Sequence, residues 1–207
     1  MAVDLGAESG RVVVGRLHGG RIDLEVVHRF PNRPVQLPDG LRWNLLHLFT
    51  ETLDGLCLAR ERAEIRSIGI DAWGVDYALL DERMRVLGLP FHHRDARTSG
   101  MVERASERVP REDLYATTGI QTLAINTIFQ LLADEGTAAL ERAAHIAFVP
   151  DLIALWITGE LANERTIAST SGLVDARSGE WAHELIARLG LPAAPFGELV
   201  EPGTLIG

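Results

Sequence analysis

The residues able to do chemistry fall in five short segments. The first is Val3-Asp4-Leu5-Gly6-Ala7-Glu8-Ser9-Gly10-Arg11. An apolar stretch brings Asp4 to its end, a glycine-flanked turn exposes backbone N–H groups, and a second apolar stretch follows. Fixed amide donors in such a turn can cradle phosphate oxygens. Asp4 has the hard-oxygen chemistry that Mg²⁺ prefers, and Arg11 adds positive charge. An ordinary hairpin with a surface aspartate is the alternative reading. The segment is neither a GxxxxGK[ST] loop nor a strand–turn–helix GxGxxG, which disfavours a P-loop and a Rossmann fingerprint. The second segment is Gly69-Ile70-Asp71-Ala72-Trp73-Gly74-Val75-Asp76-Tyr77. It delivers Asp71, Trp73 and Asp76 at and just beyond a strand end, where α/β sheets present ligand sites. An aromatic ring covers the C–H faces of a sugar and carboxylates accept its hydroxyl hydrogens. Equally, Trp73 is a core residue and the two aspartates are turn residues.

The remaining segments are less specific. Pro90-Phe91-His92-His93-Arg94-Asp95-Ala96-Arg97-Thr98 lines a polar pocket or forms a solvated strand end with a local ion pair. A metal shared by His92 and His93 is disfavoured, because adjacent residues of a strand point to opposite faces. Thr118-Gly119-Ile120-Gln121-Thr122, with Asn126 and Gln130 behind it, offers amides to sugar hydroxyls or simply caps a helix N-terminus. The hydroxyls of 166–172 (TIASTSG) read best as turn chemistry. Cys57, among Leu56 and Leu58, reads as a buried structural thiol rather than a nucleophile.

The elements that must hold these residues follow from periodicity. Three short strands are expected over 2–5, 11–17 and 22–30, with Gly19-Gly20 as a turn between the last two. A helix starts after Asn44 and presents Leu45, Phe49, Leu53 and Leu56 on one face. The run 66–73 reads as a buried strand, 77–80 continues in strand-like fashion, and 86–91 follows a turn at Asp81-Glu82. The second half is mostly helical, with helices over 101–109 and 126–133, one opened by Pro150 and closed by Gly159, and one over 181–189 that ends at Gly190. The last sixteen residues, rich in Pro, Gly and Ala, resemble the approach to a domain boundary. This is an α/β pattern: a mixed β-sheet with an antiparallel meander, flanked by helices.

Composition limits the function. The 207 residues carry 20 Lys+Arg against 29 Asp+Glu, a formal charge of −9, so neither nucleic acid nor an anionic membrane surface is an expected partner. The longest apolar runs, such as 151–159, are far shorter than the ~20 residues of a spanning helix. No secretory signal is visible, and a single cysteine excludes an intrachain disulfide and a cysteine-based zinc site. A cytoplasmic protein is expected. The length suits one large domain or two small ones and leaves no room for a two-domain enzyme of ordinary size.

Taken in order, VDLGAESGR with its meander, GIDAWGVDY, PFHHRDART, TGIQ, FVPDLIALWITG and the stretch ending TSGLVD resemble the N-terminal domain of the FGGY carbohydrate kinases. The resemblance covers essentially the whole chain. It implies an actin-like, ribonuclease H-like fold over residues 1–207, forming the sugar-side half of a kinase whose nucleotide domain lies C-terminal to this chain. It further implies ATP and Mg²⁺ as cofactors, with Asp4 near the Mg²⁺–phosphate site and Ala7, Glu8, Ser9, Gly10 and Arg11 as the phosphate loop. Gly74 would approach a ketose closely, with Trp73, Asp76 and His93 as further sugar contacts. The implied acceptor is the 1-hydroxyl of L-rhamnulose; fuculose, xylulose, ribulose and glycerol are alternatives, as is a sugar- or protein-binding module without chemistry. In two respects the chain departs from the pattern. Glu8 stands in the loop where Ser or Thr would sit more easily beside a polyphosphate. The catalytic base of the family, an Asp at the start of the second domain, has no counterpart before Gly207, so this chain alone is expected to be inactive.

Overall fold

The computed structural model describes all residues, Met1–Gly207. They group into two compact units, one of 1–35 with 43–73 and one of 36–42 with 74–207.

The first unit is a four-stranded sheet with a helix on one face. β1 (Ala2–Leu5), β2 (Ser9–His18) and β3 (Arg21–Pro31) form an antiparallel meander. Gly19 and Gly20 have φ of 55° and 81°, the two positive values that a tight hairpin requires. β6 (Gly69–Ala72) joins β1 in parallel, which gives the order β3-β2-β1-β6. A parallel neighbour needs a crossover, and α1 (Leu45–Arg62) supplies it. Asn44 caps α1 as expected, its side chain accepting the N–H of His47.

The buried stripe of α1 is not the expected one. Leu45, Leu48, Thr52, Gly55 and Ala59 face the sheet, while Leu53 is 41% exposed. The reason is close approach: a Cβ at Gly55 would lie 2.3 Å from a Val12 methyl. The sheet therefore selects the small side of the helix rather than its leucine-rich side. Cys57 falls off this stripe and is exposed, not buried. The 66–73 strand is also corrected. Only Gly69–Ala72 is strand, and it is partly exposed, because its ladder pairs with β1 alone.

The second unit opens with the end of a small hairpin, β4 (Val35–Leu37) and β5 (Gly40–Arg42). Its core strand is β7 (Tyr77–Leu80), buried at every residue and antiparallel to β8 (His145–Phe148). The predicted strand over 86–91 reduces to single bridges at Val86 and Phe91. The turn expected at Asp81 is present, its carboxylate accepting the N–H groups of Arg83 and Arg85, and it brings Val86 and Leu87 back beside Leu80 and Leu79. Around β7 and β8 lie α2 (Met101–Arg108), α3 (Arg111–Thr118), α4 (Thr127–Ala133), α5 (Ala138–Glu141), α6 (Val149–Thr158), α7 (Arg165–Ser169) and α8 (His183–Arg188). A two-stranded pair, β9 (Asn163–Glu164) and β10 (Leu199–Val200), completes the unit. Pro150 and Gly159 bound α6 as expected. Two expectations fail here. The loop at 166–172 begins as α7, because Glu164 caps it by accepting the N–H groups of Thr166 and Ile167. Thr118-Gly119 ends a helix rather than starting one, Gly119 adopting φ 66° after α3. No helix is long and apolar enough to cross a membrane.

Two measurements test this packing. Gly55→Ala should gain intrinsic helix propensity yet lower stability by about 1–3 kcal/mol in urea melts, because the new methyl overlaps Val12. Asp151, in the first turn of α6, is pushed up to about 8 by burial. Between the ordinary carboxylate value of 3.8 and about 8, the folded chain holds a proton that the unfolded chain has released. Stability should therefore fall as pH rises through that window. Asp151→Asn should flatten the fall, so that the variant gains on its parent from pH 5 to pH 8.

Candidate functional site

In the first unit the candidate phosphate loop is the turn between β1 and β2. Gly6 N–H donates to the Ser9 carbonyl at 3.0 Å and closes the turn, with Ala7 and Glu8 exposed at its tip. Both flanking glycines are sterically required. A Cβ at Gly6 would lie 2.9 Å from the Ser9 oxygen, and one at Gly10 would lie 2.3 Å from the Phe30 ring. Asp4 and Arg11 are partners across the β1–β2 ladder and form an ion pair at 2.9 Å, both side chains over a third exposed. Asp71 is the partner of Asp4 across β1–β6. A row Arg11–Asp4–Asp71 thus crosses three strands beside the turn.

What secures the turn is Asn32, which sequence reading missed. It is buried, its amide donates to the Gly6 carbonyl at 2.9 Å, and its N–H donates to the Glu8 carbonyl at 2.9 Å. Nothing local marks it, because its partners lie 24 and 26 residues earlier. Trp73 closes the first unit half-buried, its ring 3.9 Å from that of the fully buried Trp43. It is therefore neither plain core nor a free platform: its ring packs on Trp43, thirty residues earlier in the chain.

The second unit continues at Gly74. Val75 has φ 69°, a genuine outlier for a β-branched residue. Asp76 N–H donates to the Gly74 carbonyl at 2.9 Å, so the chain makes a strained three-residue turn there. Three side chains over-determine it. Thr170 accepts the Val75 N–H at 3.0 Å, and the Val75 carbonyl accepts from Thr127 at 2.6 Å and Gln130 at 3.2 Å. The space that a Cβ would fill at Gly74 belongs to Thr170, whose hydroxyl would be 2.8 Å away. Glycine at 74 is thus already required inside the protein.

The turn carries Asp76 into the interior at 0% exposure. Its carboxylate lies 2.7 Å from Nδ1 of His93 and accepts from the Gln130 amide at 2.9 Å. A carboxylate only accepts, so the imidazole donates from Nδ1. The rings of His92 and His93 stack at 4.3 Å. They do not point to opposite faces, because this segment is a turn and not a strand. Burial, with His93 alongside, lowers His92 to about 4 and keeps it neutral. Asp95 caps the turn that follows, accepting from Arg97 N–H at 2.9 Å and Leu41 N–H at 2.6 Å, rather than pairing with Arg94. Gln121 and Asn126 lie apart from this group, about a small recess with Thr122 and Gly172.

An antiparallel meander followed by a parallel strand, in the order β3-β2-β1-β6, places the chain in the actin-like, ribonuclease H-like class of α/β folds. Solved structures agree. Gluconate kinase from Lactobacillus acidophilus matches with a TM-score of 0.86 over 99% of this chain and 42% of that one, at 16% identity. The ligand-bound xylulose kinase from the same organism matches with a TM-score of 0.85 over the same shares, also at 16% identity.

Residues 1–207 match the FGGY family of carbohydrate kinases, N-terminal domain, and the chain belongs to that family. Among curated relatives, the rhamnulokinase of Bacteroides thetaiotaomicron is 41% identical over 209 residues, covering 100% of this chain and 43% of that protein. The rhamnulokinase of Enterococcus faecalis is also 41% identical, covering 100% of this chain and 42% of that protein. The chain spans less than half the length of these relatives.

The crowding at Gly74 has a measurable consequence. Gly74→Ala should cost about 1–3 kcal/mol of stability in the absence of any ligand, read by denaturant melts. In a double-mutant cycle with Thr170→Gly, which by itself loses the bond to the Val75 N–H, the two losses should be less than additive, because the atoms that overlap the new methyl are then gone.

Proposed function

We propose that this chain is the sugar-side half of an ATP-dependent kinase that transfers phosphate to the 1-hydroxyl of L-rhamnulose. The observation that carries the reading is identity of about 40% with rhamnulokinases along the whole chain, where gluconate and xylulose kinases share the fold at 16%. In this reading the turn at Ala7–Arg11 receives the polyphosphate. Its backbone is fixed by the Gly6–Ser9 bond and by Asn32, so its amides need no reorganisation when charge arrives. Glu8 stands exposed at the tip, where water screens its charge.

The donor set around Asp4 suits Mg²⁺. A kinase Mg²⁺ takes one or two protein carboxylates and fills its remaining positions with phosphate and water. Asp4 is partly exposed, is oriented by Arg11, and has Asp71 beside it on β6. When bound, Mg²⁺ would offset the charge of the transferring phosphoryl group. Trp73, Gly74, Asp76 and His93 are the residues we assign to the ketose. The buried Asp76 holds His93 in one orientation, and Trp73 is half-buried against Trp43. None of these residues is assigned as the base that deprotonates the hydroxyl; that group belongs to the C-terminal half. Phosphoryl transfer depends on positioning nucleophile and nucleotide together.

The test is a coupled ADP-release assay on two proteins: this chain alone, and this chain joined to its C-terminal continuation. L-Rhamnulose, fuculose, xylulose, ribulose and glycerol serve as acceptors. The joined protein should show its highest kcat/KM with L-rhamnulose, and the 207-residue chain alone should show no turnover. A better acceptor than L-rhamnulose would overturn the specificity. Turnover by the chain alone would overturn the assignment of the base to the other half.

A further inference from the structure

The hydroxyl-rich segment 166–172 has no part in the roles above, yet it reaches the strained turn at Gly74–Asp76. It leaves the end of α7 and is tied to α4, where the Ile128 N–H donates to the Ser171 carbonyl at 3.0 Å. Thr170 is thereby set against the turn. A Cβ at Gly74 would lie 2.9 Å from both Cβ and Cγ2 of Thr170. The Thr170 hydroxyl accepts the Val75 N–H at 3.0 Å and donates to the Ile167 carbonyl at 2.8 Å. A hydroxyl has one hydrogen, and this one is already committed to Ile167, so Thr170 has none to offer a sugar. What it does for a ligand it must do through the turn.

The turn needs to be held. Val75 sits at φ 69°, which a β-branched residue avoids, and strain of this kind persists only where its surroundings over-determine it. The two polar groups of Val75 are held unequally. Its carbonyl accepts from both Thr127 and Gln130, so one donor remains if the other is lost. Its N–H donates to Thr170. Without the hydroxyl, that partly buried N–H loses its partner at a strained residue, and rotation of the Gly74–Val75 peptide would relieve both faults. The rotation would displace the neighbours on each side. One is Gly74. The other is Asp76, whose carboxylate holds Nδ1 of His93 at 2.7 Å.

Resting on the assignment of Gly74, Asp76 and His93 to a ketose, we propose that Thr170 is a positioning residue of that site. Its hydroxyl fixes the backbone of Gly74–Asp76 and, through Asp76, the imidazole of His93.

The experiment compares Thr170→Val and Thr170→Ala, which remove the hydroxyl, with Thr170→Ser, which keeps it. On the 207-residue chain, hydrogen exchange of the Val75 amide is followed by NMR. Exchange there should quicken by about tenfold or more in Thr170→Val and Thr170→Ala, out of proportion to the other amides, and Thr170→Ser should restore most of the protection. On the chain joined to its C-terminal continuation, loss of the hydroxyl should raise KM for the best acceptor by about tenfold, with kcat within about threefold and KM for ATP unchanged. Thr170→Ser should recover most of that loss. A role in stability alone would leave KM of the folded enzyme where it was. Thr170→Ala carries the comparison if the valine variant does not fold. Unchanged Val75 exchange, unchanged KM for the acceptor, an equal rise in KM for ATP, or a serine variant as impaired as the alanine one would each overturn the proposal. A joined parent that phosphorylates none of the acceptors would instead overturn the kinase reading on which it rests, so the two failures are told apart.

Discussion

Much of the second unit is organised by the need to bury one carboxylate. Asp76 has no access to water, and a charge so placed is tolerated only with partners held at hydrogen-bond distance. His93 and Gln130 are those partners, and each must be brought from elsewhere. Gln130 comes from α4 and also receives Arg97, which fixes the 92–98 segment against the helix. The same glutamine donates to the Val75 carbonyl and helps hold a backbone that valine alone would avoid. Through Gln130 and His93 this one buried acid is tied to a strained turn, a fixed imidazole and α4. Strain of this kind persists where the surroundings over-determine it, and it gathers at functional sites.

The first unit solves a different problem with a related device. A turn that is to hold its amides in one geometry, as we propose for phosphate, would be left loose by two glycines alone. Asn32 removes that freedom by bonding the Gly6 and Glu8 carbonyls from the far end of β3. Glycine gives the turn its shape, and the asparagine gives it rigidity. The Asp4–Arg11 pair is partly exposed, so its weight in stability is small; its importance lies in orienting the acid at the strand end.

Reading the sequence recovered what short-range physics controls. The meander, the Gly19-Gly20 turn, the Asn44 cap of α1 and the Pro150–Gly159 bounds of α6 each follow from a few adjacent residues. The motif order was enough to identify the FGGY family, because residues 1–207 carry its segments in sequence. The errors share another origin. Leucine content suggested the wrong face of α1, where a sheet at close range prefers Gly55 and Ala59. The apolar run at 86–91 meets its neighbours only at the single bridges of Val86 with Leu80 and Phe91 with Arg42, partners that no local pattern names.

By itself the sequence determined most of the elements, the family and the segments that carry the candidate chemistry, because propensity, capping and turn residues act within a few positions of the chain. Only the tertiary structure decided which side chains complete each site. Asn32 beneath the β1–β2 turn, Trp43 against Trp73, and Thr170 in the space beside Gly74 act across 24 to 96 residues of chain. Such contacts are set by the meeting of surfaces, where excluded volume and the satisfaction of buried polar groups choose the partner, and no local pattern records that choice.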